Sequence, residues 1–238
     1  MWLIAEYQPV TLFSFRSGLA TSSGAKTLFL PTPFAIRTAL LDAAIRSLGL
    51  AAGPPALDWI RRLKIAVRPP ERIVVTNLFA KIIKPHRSED TEEAMDHTIA
   101  FREYAHLDGA LALAFSPATE PAAPLSALLT QINYFGKRGS FFQLRAAPHT
   151  LEELPADFVR LDKASFGENT SGGQEPQSFS LGVIQSMDDW GDSLTFAKAN
   201  IYDDETIVLH RDRVRRGVIL PYRLVRASKG FSYYERLG

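Results

Sequence analysis

The chain of 238 residues contains no cysteine. Disulfide bonds and thiolate metal sites are therefore excluded, because both need the cysteine sulfur. Disulfides are typical of secreted proteins, so a chain without cysteine fits a reducing compartment. We expect a cytoplasmic protein whose stability comes from its hydrophobic core.

Long apolar runs are lacking as well. A membrane-spanning helix needs roughly 18 or more consecutive apolar residues, whereas the run ALALAF occupies only residues 110–115. The first residues, MWLIAEYQPV, are apolar, but they have no basic leader and are interrupted by Glu6 and Gln8. This pattern argues against a signal peptide, and we expect no membrane partner.

Neither sign of charge is in large excess, since the formal net charge is +1 at pH 7. A polybasic tail is excluded, and a surface for nucleic acid would have to be a local patch. With 46% hydrophobic residues, a chain of this length can bury a core as one domain, or as one domain with a small lobe.

The beginning of the chain predicts a strand, a polar loop and a helix. Residues 1–15 alternate as a strand that places Leu3, Ala5 and Tyr7 on one face, with a break at Pro9. After the loop, Thr32 and Pro33 are typical of a helix start, and Gly49 is typical of its end.

Further strands and helices follow. Strands are predicted at residues 64–68, 73–83, 109–115 and 140–146, the first two as a hairpin or an extended region, and helices at residues 124–136 and from the acidic run at residues 89–93 to about Tyr104. Apart from the insertion, the predicted elements follow the order strand, helix, strand, strand, helix, strand. We therefore predict an α+β fold that contains a ferredoxin-like βαββαβ domain with an insertion before its third strand.

Composition predicts three regions. The ferredoxin-like domain covers residues 1–146, and an irregular linker covers residues 147–177, where GENTSGGQEPQ is typical of a flexible loop. Residues 178–238 carry several short strand signals, one of them at residues 194–199, and almost no helical period, so we predict a smaller β-rich C-terminal lobe.

Two basic segments are candidate binding sites for phosphate. Arg16 ends the first strand, and Lys26 lies in the loop of small residues that follows it. Lys137 and Arg138 form the turn GKRG before the last strand of the domain. Because the first and last strands of a ferredoxin-like unit belong to one sheet, the two segments are predicted to line a single cleft, although each is also compatible with a solvated surface.

Other residues near these segments are also candidates. Arg37 lies in the first turn of the helix, where it contacts a ligand or solvent. Phe141 and Phe142 cannot both face the core, so one of them either stacks on a base or packs under the insertion. The run RDRVRR at residues 211–216 is the densest basic stretch and predicts contact with RNA or a neighbouring subunit rather than solvation alone.

Two stretches resemble a known family. The strand FSFRSG, its Gly/Ser loop and the segment LPTPFAIRTALLDAAI are similar to the start of the CRISPR-associated RAMP proteins, and within them to the Cas-five family of type I Cascade complexes. In INYFGKRGSFFQL, a helix runs into a glycine-flanked basic turn and a strand, again as in that family. The resemblance covers roughly residues 1–146 by pattern, and the remainder only by its β-rich character.

The resemblance implies a non-catalytic subunit that caps the 5′ handle of the CRISPR RNA in antiviral defence. Such a subunit contacts the last backbone subunit of the filament and the large subunit, with target DNA nearby. Single-stranded RNA is held by cationic grooves and by aromatic or arginine planes. The expected RNA-binding residues are Arg16, Lys26, Arg37, Lys137, Arg138, Phe141 and Arg145.

Two alternatives remain open. Relatives of the type I-C systems cleave precursor RNA without metal, using a tyrosine and a neighbouring Lys–His pair. No histidine here directly follows a lysine, but His86 follows Lys84 in KPHR, and with Tyr104 and Tyr134 it motivates a metal-independent endoribonuclease. The other alternative is a protein-interaction or nucleotide-binding α+β domain.

Patterns for metals and nucleotides argue against a cofactor. No element carries His, Asp and Glu at metal-ligand spacing. SGLATSSGAKT at residues 17–27 is one residue longer than a phosphate-binding loop of the Walker type and has Ala25 before its lysine. We expect no catalytic residue, no metal and no cofactor.

Overall fold

The structure, a computed structural model, describes residues 1–18, 20, 24–85, 95–116, 122–163 and 181–238. His86, the acidic run at residues 89–93 and the glycine-rich segment at residues 167–177 lie outside the described residues. The prediction of an α+β chain is confirmed, since strands predominate and helices are few. No helix in the described ranges is long and apolar enough to cross a membrane.

The strands, in chain order, are β1 (Trp2–Pro9), β2 (Phe15–Arg16), β3 (Gly24–Ala25), β4 (Thr27–Leu28), β5 (Lys64–Arg68), β6 (Arg72–Pro85), β7 (Met95–Asp108), β8 (Leu111–Ser116), β9 (Phe142–Leu144), β10 (His149–Leu151), β11 (Val159–Arg160), β12 (Val183–Trp190), β13 (Arg213–Leu220), β14 (Tyr222–Ala227) and β15 (Phe231–Arg236). The helices are α1 (Pro33–Leu48), α2 (Gly53–Arg61), α3 (Ala122–Leu129) and α4 (Phe196–Ala199), and a 3₁₀ turn covers Leu50–Ala52.

The first sheet has β1 near its centre. Its strand order is β10–β1–β8–β5–β11, and β9 also pairs with β1. All of these pairings are antiparallel. Leu3, Ala5 and Tyr7 are buried on one face in the main core, as the alternation of the sequence predicts, while Ile4 faces a smaller apolar cluster on the other side.

Helices α1 and α3 cover one face of this sheet. The hydroxyl oxygen of Thr32 accepts a hydrogen bond from the Ala35 N–H at 3.2 Å, and Pro33 begins α1. Gly49 ends it with φ +88°, where it donates its N–H to the Ile45 carbonyl at 2.9 Å. The Tyr7 hydroxyl donates to the Leu129 carbonyl at 2.8 Å and fixes α3 over β1. The predicted start and end of α1 are confirmed.

A second sheet contains the long hairpin of β6 and β7, in the order β14–β15–β6–β7–β3. The helix predicted from the acidic run to about Tyr104 is wrong here, because Met95–Asp108 is a strand that pairs with β6 along its whole length. Ile99, Phe101 and Tyr104 favour strand by composition. Pairing with β6 overrides the helix-start signal that precedes them.

The strand segments on either side of Pro69 and Pro70 do not form a hairpin with each other. Segment β5 pairs with β8 in the first sheet, and β6 pairs with β7 and β15 in the second. The two prolines have no N–H to donate, so a ladder cannot continue through them. They carry the chain from one sheet to the other.

The predicted boundaries at residues 146 and 178 differ from the structure. His149–Leu151 and Val159–Arg160 belong to the first sheet, through pairing with β1 and β5. At the C-terminus, β15 pairs with β6, and β12 packs on α1. The C-terminal residues are β-rich as predicted, but they are integrated with the preceding domain because their strands complete its second sheet. The segment around residues 194–199, predicted as a strand, contains helix α4.

Candidate nucleic-acid interface

The loop after the first strand has its two ends fixed by pairing. Strands β2 and β4 are antiparallel, with Arg16 opposite Thr27. The Phe15 N–H donates to the Thr27 hydroxyl at 2.9 Å, and the Ser17 N–H donates to the Lys26 carbonyl at 3.1 Å. The side chains of Arg16 and Lys26 are exposed at the base of this loop. Residues 19 and 21–23 of the loop lie outside the described residues.

The turn that carries Lys137 and Arg138 is bounded by two glycines. Gly136 has φ +64° and Gly139 has φ +99°, a backbone region that glycine adopts at little cost. The Ser140 N–H donates to the Lys137 carbonyl at 3.1 Å and closes the turn. As a result, both basic side chains are exposed at its tip.

The loop and the turn meet at one aromatic cluster. The rings of Phe15 and Phe142 stack with centroids 6.2 Å apart, and the ring of Phe13 lies 4.7 Å from that of Phe15 and 5.5 Å from that of Phe142. A Cβ at Gly136 would lie 3.7 Å from the Phe15 ring. The residue before Arg16 therefore lies close to the residue before Lys137, which brings the two basic segments into one region of the surface.

Phe141 and Phe142 differ sharply in exposure. Phe142 is 2% exposed and belongs to the main core, whereas Phe141 is 47% exposed. The Phe141 carbonyl accepts a hydrogen bond from the Val10 N–H at 3.0 Å, which holds the backbone beside the first strand. The structure thus leaves one aromatic ring exposed next to the basic turn.

Arg145 lies apart from this group. Its backbone N–H donates to the Glu6 carbonyl at 2.9 Å. Arg145 is three residues beyond Phe142, which corresponds to about 10 Å along an extended chain. Its side chain lines a polar cleft that also contains Arg68 and Asp157. Since acidic and basic groups share this cleft, Arg145 does not extend the basic group at the turn.

Arg37 is buried, which corrects its prediction as an RNA contact. The residue is 3% exposed, and its Nε lies 2.8 Å from a carboxylate oxygen of Asp189. The same guanidinium donates to the carbonyls of Ile60 and Leu63 at the end of α2. Arg37 joins α1, α2 and β12 inside the fold and presents no surface to a phosphate.

Most arginines of the basic run at residues 211–216 form ion pairs within the fold. Arg213 and Arg215 pair with Asp188, the latter at 3.4 Å, and Arg216 lies 3.7 Å from Asp189. These carboxylates are buried on β12, opposite β13. The prediction of contact with RNA or a neighbouring subunit is not supported for these three arginines.

Asp212, in the same run, is fully buried. The Val208 N–H donates to its carboxylate at 2.8 Å, and this bond, with those from the Lys198 ammonium and the Ser193 hydroxyl, lowers the pKa of Asp212 to about 2. Asp212 is therefore ionised at neutral pH and anchors the segment between α4 and β13.

One contact of this network reaches the loop between Arg16 and Lys26, and the sequence did not predict it. The Arg215 guanidinium donates to the Gly18 carbonyl at 2.8 Å, so it links Asp188 to the loop between Arg16 and Lys26. A Cβ at Gly18 would lie 2.8 Å from that guanidinium, which explains why a glycine fits here. Opposite charges on Asp188 and Arg215 were the signal, but only the strand register shows that they face each other.

In the described part of the chain, no group of three or more His, Asp or Glu side chains is placed to hold a metal ion. Tyr104 lies on β7, whereas Tyr134 forms an isolated bridge with Phe141, so these two tyrosines sit on separate elements.

Comparison with known proteins finds similarity to a CRISPR-associated protein. No protein-family model matches it. It is 32% identical over 104 residues to the CRISPR-associated protein Cas5 of Archaeoglobus fulgidus, a match that covers 43% of this chain and 46% of that protein. The matched region therefore spans about half the length of this curated relative.

Comparison with solved structures adds a similarity in fold. A chain of a CRISPR RNA-guided surveillance complex superposes with a TM-score of 0.50 and 16% identity, covering 92% of this chain and 88% of that chain. A CRISPR protein from Archaeoglobus fulgidus superposes with a TM-score of 0.39 and 10% identity over 100% of this chain and 92% of that chain. Sequence similarity and fold together confirm the resemblance of this chain to the Cas5 proteins of CRISPR systems.

Proposed function

We propose that this chain is a subunit of a CRISPR RNA-guided surveillance complex and that it binds the 5′ handle of the guide RNA without cleaving it. The observation that carries this proposal is the meeting of the Arg16–Lys26 loop and the Lys137–Arg138 turn at the Phe15 cluster. The sequence similarity to Cas5 supports the assignment to a complex of this kind.

The first sheet and its two helices are proposed to form the ferredoxin-like unit. Its four strands would be β1, β5, β8 and the β9–β10 segment, with α1 after β1 and α3 after β8. The strand order places β1 and β8 at the centre, β5 outside β8, and β9 and β10 outside β1. This antiparallel order is the one a βαββαβ unit requires.

The chemistry of the surface fits single-stranded RNA. The exposed cations Arg16, Lys26, Lys137 and Arg138 can neutralise phosphates, and the exposed ring of Phe141 offers a plane on which a base can stack. In the loop, the Arg215 guanidinium holds the Gly18 carbonyl and thereby positions the backbone between two of these cations.

The distal part of the β6–β7 hairpin is proposed as the contact with the filament backbone subunit. Phe79, Ile83, Ile99 and Phe101 lie on one face of the hairpin, and each is about half exposed. The rings of Phe79 and Phe101 pair edge to face at 4.5 Å. Contiguous exposed apolar residues of this kind are typical of a surface that another protein covers. The large subunit, with target DNA nearby, is the further proposed neighbour.

An assembly experiment tests this function. When the chain is co-expressed with its filament subunit and guide RNA, we expect it to co-purify with both, and when it is expressed alone, we expect it to aggregate. Replacing Ile99 and Phe101 by serine should weaken the association with the filament subunit at least tenfold, since buried aromatic anchors dominate interfaces. Ile201→Ser, at a site 87% exposed outside the hairpin, is the matched control.

A soluble, high-yield monomer with no affinity for the filament subunit or for guide RNA would contradict the proposal. Equal loss of association in the hairpin variant and in Ile201→Ser would show that the effect is not specific to the hairpin.

The absence of catalysis is also a proposal, and it has its own test. Incubated with repeat-containing precursor RNA in the presence of a chelator, the assembled chain should leave the RNA intact, because no histidine of the sequence directly follows a lysine to form the Lys–His pair of the cleaving relatives. Gel analysis of the RNA measures the result. Cleavage at one position that is lost in His86→Ala would establish the endoribonuclease instead.

A further inference from the structure

The second sheet has one face against the core and one face that is open in the described part of the chain. Val75 and Ala105 are buried in the main core. Side chains alternate along a strand, so their neighbours Val74 and Tyr104 point to the opposite side. Both are partly exposed, and neither joins the apolar clusters formed by the described residues. We call this open side the outer face of the second sheet.

Three aromatic side chains lie on the outer face. Phe231 of β15 is opposite Thr76 of β6, and Thr76 is opposite Tyr104 of β7. With neighbouring strands about 4.8 Å apart, Phe231 and Tyr104 flank one small side chain at a separation of about 10 Å. Tyr233 follows two residues along β15, on the same side. All three residues are partly exposed, so the outer face carries a row of aromatic side chains that solvent reaches in part.

Arginines surround these rings. Arg226 is opposite Tyr233 and is exposed, Arg223 is opposite Glu235 at 3.2 Å, and Arg72 lies 2.8 Å from Asp108. The Tyr233 hydroxyl donates to Glu235 at 2.8 Å, which fixes the orientation of its ring. Arginines outnumber carboxylates on this face, and the exposed Arg226 guanidinium stands next to an aromatic plane.

The outer face is continuous with the loop between Arg16 and Lys26. Strand β3 is the edge of the same sheet, and its Ala25 is paired with Arg102 of β7. Arg102 lies on the outer face, two residues from Tyr104, and Lys26 directly follows Ala25. A nucleic acid strand bound at Lys26 can therefore pass over the edge of the sheet onto the row of aromatic rings.

We propose that the outer face of the second sheet binds the single-stranded guide RNA beyond the segment held by the loop and the turn; this inference rests on the proposed function. Aromatic planes stack on bases of any sequence, and neighbouring arginines neutralise phosphates. The excess of arginine over carboxylate on this face favours a polyanion over an apolar protein surface. The guide RNA thus follows a path from Lys26 across Tyr104 and Phe231 towards Tyr233 and Arg226.

The test uses the full chain co-purified with its filament subunit and measures binding of a single-stranded guide RNA by fluorescence anisotropy over a range of salt concentrations. Tyr104→Ala and Phe231→Ala should each weaken binding about tenfold, because each removes one stacking plane. Arg226→Gln should flatten the log–log salt dependence by about 0.7, the value for one phosphate contact on a single strand. Tyr202→Ala, at a site 90% exposed outside this face, and Arg62→Gln, at an exposed site after α2, are the matched controls and should bind like the unmodified chain.

The outcomes separate this inference from the function on which it rests. If Lys137→Ala/Arg138→Ala weakens RNA binding while the variants of the outer face do not, the outer face does not bind RNA and the proposed function stands. If neither set weakens RNA binding, both fail. If the variants of the outer face lose filament association but keep their RNA affinity, the outer face is a protein interface. If they lose affinity only for a matched DNA strand, the outer face binds DNA. Either result overturns the inference.

Discussion

Arg37→Met is expected to lower the free energy of unfolding by about 3–5 kcal/mol, the usual cost of removing one partner from a buried ion pair. The substitution leaves the Asp189 carboxylate without the guanidinium that lies 2.8 Å from it, in a site where both side chains are 4% exposed. It also removes the donors to the carbonyls of Ile60 and Leu63. Because a domain of this size is typically stable by only about 5–15 kcal/mol, the variant should unfold at much lower urea concentration.

Tryptophan fluorescence during urea unfolding is a direct measurement, since the side chain of Trp190 is buried in the main core and its backbone N–H donates to the same Asp189 carboxylate. Arg46→Met is the matched control on the same helix. Arg46 is exposed and pairs with Asp42 at 2.9 Å, four residues earlier. Exposed pairs contribute little, so this control should lose less than about 1 kcal/mol.

A double variant distinguishes the buried pair from general damage to the helix. Arg37→Met combined with Asp189→Leu removes both charges, and we expect it to recover a large part of the stability lost in the single variant. If Arg37→Met were as stable as Arg46→Met and bound RNA more weakly, Arg37 would be a surface contact and its burial in the structure would be contradicted.

The elements that the sequence predicted well are those whose local signals and tertiary packing agree. Helix α1 has its capping threonine, its proline and its terminal glycine at the positions where the structure begins and ends it. The alternation of Leu3, Ala5 and Tyr7 correctly assigned the buried face of β1. In both cases the physical cause is local, namely hydrogen-bond caps and the two-residue period of a strand.

The charged residues show where a single sequence stops being informative. Arg37 and the arginines at residues 213, 215 and 216 looked available for RNA, because basic residues are usually exposed. Their acidic partners, Asp188 and Asp189, lie about 25–150 residues away along the chain and face them only through the pairing of β12 with β13 and the packing of β12 on α1. Non-local pairing of this kind leaves no periodic pattern in the sequence.

The helix predicted up to about Tyr104, where the structure has strand β7, was wrong for a related reason. An acidic run before an apolar segment is typical of a helix start, but the segment from Met95 onward lies beside β6, and fourteen residue pairs form the resulting ladder. Of the candidate site, the sequence predicted Arg16, Lys26, Lys137, Arg138 and Phe141, which the structure leaves exposed near one aromatic cluster. It did not predict the Arg215 contact with Gly18, because that contact depends on the register of a distant strand.

Lys137→Ala/Arg138→Ala is expected to weaken guide-RNA binding and to reduce its dependence on salt. If four phosphates are engaged by Arg16, Lys26, Lys137 and Arg138, the log–log slope of affinity against salt should be about −2.8, at about −0.7 per contact on a single strand. Affinity of the unmodified chain would then fall about 600-fold over a tenfold rise in salt. Without the two cations of the turn, the slope should flatten by about 1.4, and the same rise in salt should cost only about 25-fold.

The reason lies in how the turn is built. Gly136 and Gly139 fix the backbone, and the Ser140 N–H closes the turn, so the side chains of Lys137 and Arg138 project from it without bearing on the core. Their removal should leave the urea unfolding midpoint almost unchanged, because exposed charges contribute little to stability. Arg62→Ala/Lys64→Ala removes two exposed cations after α2 and should keep the full slope. The measurement is a salt titration of guide-RNA binding by the assembled complex with several RNA sequences, all of which should weaken alike, since phosphate contacts carry no sequence information. An unchanged slope would place the turn against solvent or a protein neighbour, and the single cleft between loop and turn would have to be abandoned.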